Sequence, residues 1–178
     1  MVILPASAPD LPLLLEILDD AARWLISKGI RQWNSPPSPE ACTLVEREIA
    51  GGRVFLVRLP GAPEAVATFR VEWAGAPLWP EEKNAGYLYT LALRPNYVGL
   101  GLGKSIVHWV DNYFRAVGKE WFRLDCIASN DRLRRWYEEL GFRYCSTTIV
   151  DAYALALYEK ELGPREVRMD SGCATQKW

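Results

Sequence analysis

The chain has 178 residues and a formal net charge of -1, with 49% hydrophobic and 24% charged residues. That balance describes one domain of ordinary size with a full apolar core. With no basic tract, nothing draws the chain to nucleic acid or to an anionic membrane surface. Cys42, Cys126, Cys145 and Cys173 form no C-x-x-C pair and His108 is the only histidine. No metal site is therefore expected, and the thiols read as reduced cysteines of a cytoplasmic protein. The first residues carry no basic leader, and the apolar run Leu11–Leu18 is interrupted by Pro12 and Glu16, so neither a signal peptide nor a membrane span is expected.

The predicted elements are a mixture of helices and strands. Met1–Leu4 reads as a short strand. Asp10 is expected to cap a helix with the stripe Leu11, Leu14, Leu15, Leu18, Ala22, Leu25 and Ile26, stopped at Gly29. After a proline- and serine-rich loop, a second helix covers about Glu40–Ala50. Arg53–Leu59 and Glu64–Trp73 form a hairpin through Pro60-Gly61. Gly75–Asn84 is a loop, and Tyr87–Arg94 the next strand. Lys104–Val117 is the cleanest helix, with Ile106, Trp109, Val110, Tyr113, Phe114 and Val117 on one face. Trp121–Ile127 is a strand, Asn130–Leu140 a helix, and Tyr144–Val150 and Ala152–Glu159 close the domain, assigned to residues 1–162. Residues 163–178 are expected to be a loose tail. The class is α/β, helices packed on a mixed sheet.

Chemistry concentrates at Gly99-Leu-Gly-Leu-Gly-Lys104. Three glycines between a strand and a helix leave main-chain N–H groups and a helix N-terminus facing outward, which suits a phosphate. The nucleotide-triphosphate loop G-x-x-x-x-G-K-[ST] fails by one residue, because Val98 stands where its first glycine belongs. The dinucleotide fingerprint G-x-G-x-x-G fails because Lys104 occupies its last position. The pattern that fits is x-x-x-G-x-G, with Gly101 and Gly103.

This loop resembles the coenzyme A pyrophosphate loop of the GNAT-type N-acetyltransferase superfamily. Leu91–Pro95 resembles the strand that precedes it there, and Asn130, Tyr137 and Gly141-Phe142 resemble the second signature, N-x6-Y-x3-G-F. Val98 departs from the Arg or Gln usual at its position. The resemblance implies a mostly antiparallel central sheet flanked by helices and splayed between Tyr87–Arg94 and Trp121–Ile127. It implies acetyl coenzyme A as co-substrate, its pyrophosphate on Val98, Gly99, Leu100, Gly101, Leu102, Gly103 and Lys104. The pantetheine arm would pair with the main chain of Leu91 and Leu93 and meet Asn130, which reads equally as a helix cap. Tyr137 would protonate the departing thiolate, its plainer reading being a packed core aromatic.

The resemblance implies transfer of an acetyl group to a primary amine of a small molecule. A non-catalytic acyl coenzyme A binding module is the alternative. For the general base, Glu72, Glu81, Glu82 or a water chain remain open. Asp125 reads as a structural hydrogen-bonding residue, and His108 as surface. Trp24, Trp33, Trp73, Trp79, Tyr87 and Tyr89, with Glu72, are candidates for the acceptor pocket. Aromatic faces of this kind favour a flat or cationic acceptor over a highly anionic one. A homodimer is left open.

Overall fold

A computed structural model describes residues 1–73, 78–79, 81–150 and 153–163. Seven strands form one sheet in the order β1-β2-β3-β4-β5-β7-β6. They are β1 (Val2–Pro5), β2 (Val54–Arg58), β3 (Ala67–Glu72), β4 (Ala85–Leu93), β5 (Trp121–Ile127), β6 (Arg143–Val150) and β7 (Tyr153–Glu161). The helices are α1 (Leu11–Ser27), α2 (Pro39–Ala50), α3 (Leu102–Ala116) and α4 (Asp131–Glu139). Every strand pair is antiparallel except β4 with β5. That parallel pair needs a crossover, and α3 supplies it. The tail assigned to residues 163–178 lies, from 164 onward, outside the described residues, as do Cys173 and residues 75–77 and 80 of the predicted Gly75–Asn84 loop.

Alternation along β5 separates the two sides of the sheet. Phe122, Leu124 and Cys126 are buried in the main core with Ile106, Val107, Val110 and Phe114 of α3 and Tyr137 of α4. Full burial of each such side chain is worth roughly 1.5–3 kcal/mol. Gly86 lets α3 approach: a Cβ there would lie 2.6 Å from the Phe114 ring. On the other side, α1 and α2 cover Val54, Leu56 and Ala92 through Leu14, Ile17, Ala21 and Ile49. Residues directly opposite across a sheet share a face. Two rows therefore run over this second side, Val54–Arg70–Tyr89 and Glu72–Tyr87–Arg123–Glu159–Arg143.

The first helix starts differently from expectation. Asp10 stands at the N-cap position of α1, but its side chain makes no bond to the helix. Its carboxylate accepts from the Ser7 N–H at 2.9 Å and the Ser7 hydroxyl at 2.7 Å, across a 3-10 turn, Ala8–Asp10, that leads into the helix. These bonds hold the Asp10 carboxyl below the usual carboxylate range.

The sheet opens between β4 and β5. Their pairing runs from Ala85↔Trp121 to Leu88↔Leu124 and stops, while β4 continues to Leu93 and β5 to Ile127. A bulge marks the place. Between Thr68↔Ala92 and Arg70↔Tyr89, two residues of β4 oppose the single residue Phe69, and Thr90 has φ 54°. Bulges sharpen the local twist, and a left-handed threonine stores strain.

Candidate acyl-transfer site

The segment from Pro95 to Lys104 builds an anion cradle from the main chain. After the short turn Pro95–Tyr97, Gly99 (φ 83°) and Gly101 (φ 79°) adopt left-handed conformations that only glycine takes without strain. Nothing lies within 4 Å of where a Cβ would sit on either. Gly101 caps α3, whose first helical bond runs from the Ser105 N–H to the Gly101 carbonyl at 3.1 Å. Among the described residues, none of the six N–H groups from Gly99 to Lys104 donates to a backbone carbonyl. Six open donors at a helix N-terminus fit a pyrophosphate. Val98 is extended, and Leu100 is 72% exposed. Gly103 lies inside α3 with the Trp136 ring of α4 3.5 Å from a hypothetical Cβ.

The cradle leads into the opening of the sheet. The Arg94 N–H donates to Val66 on the β3 side. By alternation, the main-chain groups of Leu93 face the side that β5 has left, and those of Leu91 follow two residues earlier. An extended thioester arm would find these groups without a ladder partner. Asn130 is buried and caps α4, its Oδ1 accepting from the Leu133 N–H at 3.1 Å. That bond leaves the Asn130 amide N–H groups for another partner.

Tyr137 projects from α4 into the core beside the opening, with the Trp136, Phe142 and Tyr158 rings at 5.2, 5.9 and 6.0 Å. Burial raises its phenol above the ordinary range, and Cys126 and Asp125 push it the same way. A phenol so held stays protonated at neutral pH.

Asp125 is the residue that sequence reasoning undervalued. It stands one position past the last β4–β5 pair, half-buried. Burial pushes its carboxyl up to about 6, against the pull of Arg70, and no hydrogen bond or ion pair holds it among the described residues. Its charge adds to the burial that raises Tyr89 and Tyr137.

The remaining candidates fall into separate places. Tyr87, Tyr89 and Trp79 share one cluster with Trp121 and Leu157 on the second side of the sheet. The Tyr87 and Tyr89 rings are stacked 6.3 Å apart, and the Arg70 guanidinium lies 4.9 Å from the Tyr89 ring. The Tyr89 hydroxyl and the Trp79 indole N–H are buried without a hydrogen-bond partner among the described residues. Trp33 packs against the α1 cluster. Trp24 continues the Leu14–Ile17–Ala21 stripe of α1, half-buried. Trp73 lies away from this group, on the α3 side with Tyr113 and Phe114. Glu72 is engaged by Arg53 at 3.3 Å and Arg70 at 3.4 Å, next to the buried Glu48. Burial and that second carboxylate raise its pKa, yet two guanidiniums occupy it. Glu81 is largely exposed, and so is Glu82.

A main-chain cradle of open N–H groups thus leads onto a split sheet, with a phenol and a carboxylate beside the split. The model of the acetyltransferase (GNAT) family matches residues 15–142, and the chain belongs to that family. It is 28% identical over 163 residues to the uncharacterized N-acetyltransferase YesJ of Bacillus subtilis (strain 168), covering 89% of this chain and 88% of that protein. The fold is similar to a GNAT-family acetyltransferase from Streptococcus agalactiae, with TM-score 0.77, 15% identity and coverage of 90% and 94%. It is also similar to the ribosomal-protein-S18-alanine N-acetyltransferase of Escherichia coli, with TM-score 0.64, 17% identity and coverage of 94% and 97%. The chain thus belongs to the acetyltransferase (GNAT) family and shares the fold of these structures.

Proposed function

We propose that the protein transfers an acetyl group from acetyl coenzyme A to a primary amine of a small molecule, by direct attack with both substrates bound. The observation that carries this reading is the run of six unpartnered N–H groups from Gly99 to Lys104, ending where β4 and β5 part. Acetyl coenzyme A supplies the activated acyl group. The chain's own residues do the rest.

The cradle neutralises the pyrophosphate through main-chain donors, so the usual Arg or Gln is dispensable at Val98. Leu91 and Leu93 align the thioester with main-chain groups, and one of those N–H groups polarises its carbonyl. Such a donor is typically worth about 3 kcal/mol. Asn130 holds the pantetheine arm with the amide hydrogens its capping bond leaves over. Asp125 accepts a proton from the acceptor ammonium, for which a carboxyl near 6 without a fixed partner is suited. Tyr137, kept protonated by burial, donates to the departing thiolate. Glu72 balances Arg53 and Arg70 and holds the acceptor wall, and Trp79, Tyr87 and Tyr89 present aromatic faces to the acceptor.

Free-thiol release from acetyl coenzyme A, measured with a panel of small amines, tests the reading. Amine-dependent release is expected. Tight cofactor binding with no release for any amine or N-terminal peptide would make the chain a binding module. Release with N-terminal peptides alone would move the acceptor to proteins.

A further inference from the structure

On the acceptor side of the sheet, beyond Asp125, a cavity of about 330 Å³ is walled by Trp79, Lys83, Arg123, Arg143, Ser146 and Glu159 among others. Its charges are unevenly matched. Arg123 is 2% exposed and Glu159 3%. Glu159 alone serves three cations. It accepts from Arg123 at 3.1 and 3.2 Å, from Lys83 at 3.0 and 3.2 Å, and from Arg143. Burial would raise the Glu159 carboxyl, but these bonds hold it below the usual range. The other carboxylate of the lining, Glu81, is 3.7 Å from Lys83 with its side chain 71% exposed, where water screens it.

One buried carboxylate thus faces three cations, of which Arg143, like Glu81, is mostly exposed and screened by water, so that a further anion at the cavity mouth would complete the pairing. The donors are also unevenly spent. Arg123 has four of its five N–H groups engaged, Nε and Nη2 on Glu159 and Nη1 donating to the Glu81 carbonyl at 2.8 Å and to the Tyr87 hydroxyl at 3.4 Å. Among the described residues, Arg143 uses only Nη2, and its side chain is 67% exposed toward the cavity mouth. Its Nε–H and Nη1 hydrogens, which point to opposite sides of the guanidinium, are therefore left over for a carboxylate or phosphate at the mouth. Trp121 steadies both mobile cations, with Lys83 Nζ 3.9 Å and the Arg143 guanidinium 5.5 Å from its ring.

We infer that this cavity is the anion subsite of the acceptor pocket, so that the acceptor is an amine bearing a carboxylate or phosphate. The inference rests on the acyl-transfer reading for the amine end. Arg123 and Asp125 are two residues apart on one face of β5. An ammonium at Asp125 and an anion at Arg143, two residues along β5 and two strands across the sheet, are then separated by roughly 12 Å at the backbone. A simple α-amino acid is too short to span that distance through its own carboxylate. An amine with a distal carboxylate or a phosphate ester fits, and its single anion is consistent with the aromatic wall of Tyr87, Tyr89 and Trp79.

Two measurements test it independently. Glutarate and inorganic phosphate are titrated calorimetrically into the wild type, Arg143→Gln, Arg143→Lys and Gly101→Val. The expected result is saturable glutarate binding that weakens at least tenfold in Arg143→Gln, persists in Arg143→Lys and persists in Gly101→Val. Loss in Gly101→Val but not in Arg143→Gln would assign the anion to the cradle and overturn the subsite. Absence of saturable binding of either anion to the wild type would overturn it too. In the second measurement, ω-amino carboxylates and their methyl esters are compared as acceptors. Arg143→Gln is expected to lower the acid-to-ester ratio of kcat/KM at least tenfold, and an unchanged ratio contradicts the inference. The acyl-transfer reading fails separately, by the absence of thiol release with any acceptor, while glutarate binding still reports on the cavity.

Discussion

The two sides of the split sheet handle charge in opposite ways. At the proposed cradle, a ligand's charge would be met by the peptide N–H groups of Gly99 to Lys104, which have no backbone acceptor among the described residues. On the acceptor side, charge is met by side chains in a packed network of Arg53, Arg70, Glu48 and Glu72, and again by Arg123, Lys83, Arg143 and Glu159. A main-chain site is indifferent to most substitutions and vulnerable only where backbone conformation is special. A side-chain site depends on individual residues, and can change acceptor without disturbing the cofactor. The lone carboxylate between them, Asp125, belongs to neither network.

The contrast is sharpened most by Asp125→Asn. Its turnover is expected to fall about a hundredfold, within the range for a lost general base. In the wild type, kcat/KM should rise with pH through about 6 and level off, and that limb should vanish in the variant. Stability should move the other way. The folded Asp125 carboxyl sits near 6, against 3.8 for the unfolded chain, so between those values the folded state binds more protons and loses stability as pH rises. Asp125→Asn should therefore melt above the wild type at pH 8 but not at pH 3.5. A variant less stable at pH 8 would mean that Asp125 is structural.

Next in size is Tyr137→Phe, expected to lower turnover at least tenfold while acetyl coenzyme A binding, followed by calorimetry, stays within twofold. Equal loss in both would make Tyr137 a packing residue. Gly101→Val forces a branched side chain into φ 79°, at a cost of about 1–2 kcal/mol, and should weaken acetyl coenzyme A binding about tenfold. The smallest effect belongs to Gly103→Ala. Its Cβ would meet Trp136 at an ordinary 3.5 Å inside a helix, so cofactor affinity should change less than twofold. If Gly103→Ala costs as much as Gly101→Val, the cradle is not a matter of backbone conformation.

Much of the fold was legible in the sequence because local patterns decide it. β5 is the predicted Trp121–Ile127, α3 begins two residues before the predicted Lys104, and the hairpin at Pro60-Gly61 joins β2 and β3. The Ser7 cap was legible too, in Ser7-Ala-Pro-Asp10, a capping-box spacing that the reading of Asp10 as cap passed over. The parting of β4 and β5 came from the family resemblance and not from periodicity. Asp125 was read as a structural hydrogen-bonding residue for a related reason. In the sequence it is one polar residue in an alternating strand, and its isolation follows from where β4 stops pairing. Glu72 was offered as a base because nothing nearby in the chain shows that Arg53, 19 residues away, occupies it. The cationic cavity joins Lys83 to Glu159 across 76 residues and carried no local signal.

The most direct test follows the backbone amide resonances of the isotope-labelled protein as coenzyme A is added. The largest shifts should fall on Gly99 to Lys104, with smaller ones on Leu91 and Leu93, and Arg143 should stay unmoved. Shifts centred on the Lys83–Arg143 cavity, or none at the glycine bend, would contradict the placement of the cofactor and the chemistry built upon it.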